Sequence, residues 1–111
     1  RRQVAMRTVR TVRTIALLLL AAGSAVAQDT VEKGAKVFRQ AGCVACHKVN
    51  GQGGPSGPDL TRIGAVRTEQ AWLRGFLKDP AALVPGSRMP PFDDLAEDEV
   101  RSLTAYLLSL K

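Results

Sequence analysis

The chain has 111 residues, with 16 Lys or Arg against 10 Asp or Glu, a formal net charge of +6, two cysteines and one histidine. That length suits one small domain. A single histidine and two cysteines cannot make a four-ligand Cys/His zinc site.

Residues 1–27 begin with Arg1, Arg2, Arg7, Arg10 and Arg13, continue with a short apolar run from Ile15 to Ala22, and end on Ala25-Val26-Ala27. A basic segment, a short apolar core and a small-residue cleavage site are the layout of a secretory signal peptide. The apolar run is short of the ~20 residues a spanning helix needs, so cleavage is expected over retention as an anchor. We therefore expect a signal over 1–27, a domain over 28–111, and periplasmic export with no membrane span after cleavage. Five of the sixteen basic residues lie in the signal, leaving eleven against ten acids. The basic excess is then a property of the signal and gives no case for nucleic acid.

In the domain, Asp29 followed by Glu32 has capping-box spacing and predicts a helix over 30–41, with Val31, Ala35 and Phe38 apolar and Gly42 at its end. Residues 47–67 hold Gly51, Gly53, Gly54, Pro55, Gly57 and Pro58, which deny any long helix or strand. Thr68 is placed to cap a second helix bearing Trp72, Leu73, Phe76 and Leu77, which Asp79-Pro80 ends. A proline-rich loop follows, with one short turn after Pro80. The last helix starts between Leu95 and Glu97, where acids suit a helix N-terminus, and Val100, Leu103, Leu107 and Leu110 form its apolar stripe. The pattern is all-α: three main helices and two long loops. The apolar side chains are too few to close those loops over an empty interior, which points to a large apolar cofactor.

Both cysteines and the histidine stand together as Cys43-x-x-Cys46-His47. A redox disulfide of thioredoxin type belongs beside a βαβ pattern, which is absent here. Zinc would lack a fourth Cys or His ligand. The spacing reads as attachment of a c-type haem: two thiols one helical turn apart bond the two vinyl groups, and His47 places an imidazole on the iron. Met89 is the one methionine of residues 28–111. A thioether paired with histidine raises the potential and closes the iron to substrate, which favours electron transfer over bond-making.

These residues resemble class I cytochrome c, the small His/Met monohaem family, over essentially all of 28–111. Gly34 and Phe38 resemble the family's first-helix pair, and Leu103 and Tyr106 their partners in the last helix. The resemblance implies the cytochrome c fold, three main helices with long loops around one covalent haem, and a close approach of Gly34 to Tyr106. The segment "GPDL", Gly57 to Leu60, resembles the family's Gly-Pro-x-Leu, which implies that the Pro58 carbonyl accepts the axial imidazole N–H. The segment through "PGSRM" implies Met89 as the second axial ligand and Ser87 near a haem propionate. Phe76 departs from the tyrosine of mitochondrial members and leaves no hydroxyl near the methionine sulfur.

The function expected is a soluble periplasmic shuttle cycling Fe(III)/Fe(II) between a donor and an acceptor redox protein, not an enzyme. The alternative is the haem c subunit of a larger redox complex, a sulfur-oxidation, dehydrogenase or terminal oxidase assembly. A peroxidase or gas-binding haem would require Met89 unbound at rest. Arg62 and Arg67 are candidates to pair with a propionate.

Overall fold

The computed structural model describes residues 25–111. Residues 1–24, most of the expected signal, lie outside the described residues. Helix α1 occupies 25–40. It therefore runs through Asp29, and the expected cap at that residue is not made: Ala25, Ala27 and Gln28 favour helix, and Thr30 Oγ1 donates back to the Val26 carbonyl at 3.0 Å. Gly42 follows at φ 85°, and the chain turns into a single 3-10 turn over Cys43–Ala45.

Two one-turn helices punctuate the loops: α2, Ile63–Val66, and α4, Pro80–Leu83. Between them lies α3, Gln70–Lys78. Its N-cap is Glu69, with no side-chain cap bond, so Thr68 does not play the expected role. The turn expected after Pro80 is α4. Proline suits a first helical position because its missing N–H would have no partner there. The Asp79 carboxylate accepts from the Ala82 amide at 3.3 Å. Helix α5 spans Glu97–Ser109. Glu99 reaches back to accept from the Ala96 amide at 3.0 Å, the reciprocal half of a capping box; Ala96 has no side-chain acceptor to supply the other half.

The core is Val37, Phe38, Cys43, Leu73, Leu77, Leu103 and Leu107. Helices α3 and α5 each contribute a pair four residues apart, Leu73 with Leu77 and Leu103 with Leu107, so each buries one stripe, and α1 adds the adjacent Val37 and Phe38. Leu103 is fully buried, which stabilises the fold by about 1.5–3 kcal/mol. Helix α1 crosses α5 at Gly34. A Cβ there would meet Tyr106 Cβ at 2.6 Å and the Ser102 carbonyl carbon at 2.7 Å, so only glycine permits this approach. One turn along, Phe38 meets Tyr106 edge-on, with ring centroids 5.5 Å apart and planes inclined at 62°. The implied packing of Gly34 near Tyr106 is present.

Helix α3 packs on α4 and α5, and α2 packs on α5. The Gly64 amide of α2 donates to the Leu110 carbonyl at 2.6 Å, which satisfies a carbonyl that the end of α5 would leave free. Between α3 and α5, Gln70 Nε2 donates to the fully buried Thr104 Oγ1 at 2.9 Å. Arg74 pairs with Glu97 in the same seam. Exposed ion pairs of this kind contribute little, so the buried apolar pairs hold the seam.

Candidate haem site

The 3-10 turn after α1 sets both cysteines. Cys43 is buried and Cys46 exposed, and both thiols are free. Burial pushes the Cys43 thiol above its ordinary value, and the neighbouring Cys46 adds to that, against a backbone hydrogen bond that lowers it. The His47 amide donates to the Cys43 carbonyl at 3.0 Å, so the imidazole leaves the same turn that carries the thiols.

The His47 ring is held from the loop. Its Nδ1 lies 2.8 Å from the Pro58 carbonyl oxygen. A carbonyl can only accept, so Nδ1 carries the proton and Nε2 keeps its lone pair free for a metal. This is the contact that the resemblance to Gly-Pro-x-Leu implied. The loop reaches that point through a ladder of backbone bonds back to the turn. Gly54 donates to the Val44 carbonyl at 2.9 Å, Gly57 to Cys46 at 2.7 Å and Leu60 to Lys48 at 2.8 Å. Asp59 then locks the exit: its Oδ1 accepts from the Thr61 amide at 2.8 Å and from the Thr61 hydroxyl. Those two bonds hold the Asp59 carboxyl below its ordinary range.

Met89 and Ser87 stand on the loop between α4 and α5. Met89 is half-buried and packs on the same core cluster as Cys43. Ser87 Oγ accepts from the Met89 amide at 3.3 Å, a contact sequence reasoning did not anticipate. The Phe92 amide donates to the Leu77 carbonyl at 2.7 Å and ties the end of this loop to α3. On α3, Trp72 and Phe76 stack face to face, centroids 5.0 Å apart and planes at 10°, and both rings are half-exposed. The Arg67 guanidinium carbon lies 4.0 Å from the centre of the Trp72 ring. Two hollows flank Phe92 and Leu95; Cys43, Cys46, His47 and Met89 line neither, and they have no part in the site.

Among the described residues no group of three or more His, Cys, Asp or Glu side chains is placed to hold a metal ion. Two free thiols one turn apart, followed at once by an imidazole with Nδ1 already bonded, fit a covalent haem.

The comparison with protein families decides the matter: residues 31–111 match the model described as Cytochrome c. The chain belongs to the cytochrome c family. Such a domain carries haem c covalently and transfers electrons with it, and Cys43, Cys46 and His47 supply its attachment motif here. A cytochrome c oxidase subunit 2 of Alkalihalophilus pseudofirmus is 34% identical over 76% of this chain and 27% of its own length. A menaquinol:cytochrome c reductase cytochrome c subunit of Bacillus subtilis is 39% identical over 53% of this chain and 24% of its own. A subunit of the nitric oxide reductase of Stutzerimonas stutzeri is 28% identical over 71% of this chain and 57% of its own. The chain thus spans about a quarter of the length of the first two relatives. No described helix is long and apolar enough to cross a membrane.

Proposed function

We propose that this cytochrome c domain is an exported one-haem electron carrier with His47 and Met89 as axial ligands. The haem, bonded through Cys43 and Cys46, supplies a one-electron Fe(III)/Fe(II) couple. The observation that carries the reading is the His47–Pro58 hydrogen bond, because it fixes the tautomer, aims Nε2 away from the loop and raises the basicity of the ring. Ser87 and the Phe92–Leu77 bond hold the Met89 segment at both ends, so the thioether is presented by a braced loop. Cys43 belongs to the same buried cluster as Leu73, Leu77 and Leu103, so one thiol of the attachment motif sits against the apolar core. Histidine and methionine together leave no position for a substrate, so the domain carries electrons between redox proteins and performs no bond chemistry itself.

The basic residues and apolar run of 1–22 with Ala25-Val26-Ala27 support export to the periplasm. The shuttle reading follows from that export. A second reading, the haem c subunit of a larger redox complex, is favoured by the relatives, all of them named as subunits of oxidases or reductases. Expression of the tagged full chain in its periplasm-bearing host, followed by fractionation, separates the two. A shuttle is released with the periplasm as a small haem protein that membranes both reduce and reoxidise. A subunit stays with a membrane or large soluble assembly and co-purifies with other redox polypeptides. Absence of covalent haem from the tryptic peptide spanning Cys43 and Cys46 contradicts both.

A further inference from the structure

We infer that Gly57 is a positioning residue for the imidazole: its bare Cα is the wall that sets the His47 ring against the Pro58 carbonyl. This rests on His47 being the axial ligand. A Cβ on Gly57 would lie 2.6 Å from His47 Cε1, 2.7 Å from Nδ1 and 3.1 Å from the Cys46 carbonyl oxygen. Gly57 is not among the residues of positive φ, so its backbone conformation is open to any residue. Space, not backbone freedom, demands the glycine. At Gly42, Gly51 and Gly86 the case is reversed: φ is positive and the surroundings are open.

The backbone at Gly57 cannot withdraw. Its amide is bonded to the Cys46 carbonyl at 2.7 Å, and Pro58, whose ring locks φ, follows directly. The imidazole is the more movable party, since it turns about two side-chain torsions. A methyl group at 57 therefore swings the ring and lengthens the 2.8 Å bond from Nδ1 to Pro58. That bond makes Nε2 more basic, and a more basic ligand favours the ferric state. Loosening it makes the ferrous state easier to reach, so the midpoint potential rises.

Gly75 in α3 supplies the control. A Cβ there would meet only Leu83 Cδ1 at 3.5 Å, away from the ring and from the attachment turn. Wild type, Gly57→Ala and Gly75→Ala are prepared as holoproteins. Midpoint potentials are measured by spectroelectrochemistry, and exchange of the His47 Nδ1 proton by NMR in the ferrous state. The expected result is a higher potential and several-fold faster exchange in Gly57→Ala, with Gly75→Ala near wild type in both. Equal behaviour of the two variants overturns the proposal. If Gly57→Ala does not mature, the ferrous wild type decides: a strong nuclear Overhauser contact between the Gly57 α protons and the His47 ε1 proton is expected, and its absence overturns the placement. A wild type without a histidine-ligated haem spectrum defeats the ligand reading itself. A wild type with that spectrum but unmoved variants defeats this proposal alone.

Discussion

Replacing Gly34 by alanine tests whether the crossing of α1 and α5 is the packing joint of the domain. Alanine in a helix interior gains about 1 kcal/mol over glycine from propensity alone. Against this stands the new Cβ, 2.6 Å from Tyr106 Cβ and 2.7 Å from the Ser102 carbonyl carbon. Ordinary contact requires roughly 3.5–4 Å, so the helices must part by about 1 Å, and a gap of that size forfeits a quarter to a half of the attraction between the surfaces it separates. Overpacking typically costs about 1–3 kcal/mol, and the upper end applies where the obstacle is backbone that cannot turn aside. The net is a loss of about 2 kcal/mol, or a fall of roughly 8–16 °C in Tm for a domain of this size. Gly75→Ala makes the same chemical change in α3, where the nearest atom to a Cβ is the flexible Leu83 Cδ1 at 3.5 Å. That variant should gain about 0.5–1 kcal/mol. Thermal unfolding of both holoproteins, followed by far-ultraviolet circular dichroism, gives the comparison. A Gly34→Ala protein melting at or above wild type, or two variants shifted in the same direction, refutes the reasoning.

Thr104→Val strips the acceptor from Gln70 Nε2; the amide is half-buried and partly regains water, so the loss should be about 1 kcal/mol, read in denaturant as a lower midpoint at unchanged slope. In Asp59, the folded carboxyl is held below its unfolded value by Thr61. Its stabilising contribution is therefore complete above the ordinary aspartate range and is lost as pH falls through the folded value; Asp59→Asn should flatten the acid limb of the stability curve measured below that range. Asp79→Ala removes the cap of α4 and should cost about 0.5–2 kcal/mol, seen as a lower melting temperature.

Several parts of this architecture are legible from residue types alone, because each is enforced by local chemistry. The Cys43-x-x-Cys46-His47 spacing makes one turn carry three reactive groups, and Pro80 after Asp79 announces α4. The pairing of Gly34 and Phe38 with Leu103 and Tyr106 follows from the family resemblance, and the helix crossing realises it. Other features depend on competition that sequence does not display. Asp29 has the chemistry of a cap, but α1 continues through it because the residues before it also favour helix. Thr68 is similar, yet the chain enters α3 at Glu69 with no side-chain cap. Helix α2 lies in a stretch full of turn formers and exists because its Gly64 amide meets the end of α5. The bond from the Met89 amide to Ser87 Oγ spans two residues and leaves no periodic trace; only the serine two positions before the methionine hints at it. The Gly57 contact with the imidazole is invisible in a string of six turn-forming glycines and prolines, since backbone freedom and close approach call for the same residue.

The central claim is a haem held between His47 and Met89, and the near-infrared and visible absorption of the holoprotein tests it most directly. Sharp low-spin bands in the reduced protein are predicted, together with a weak methionine–iron charge-transfer band in the oxidised protein that disappears in Met89→Ala. A high-spin oxidised spectrum, or a charge-transfer band that survives Met89→Ala, contradicts the account.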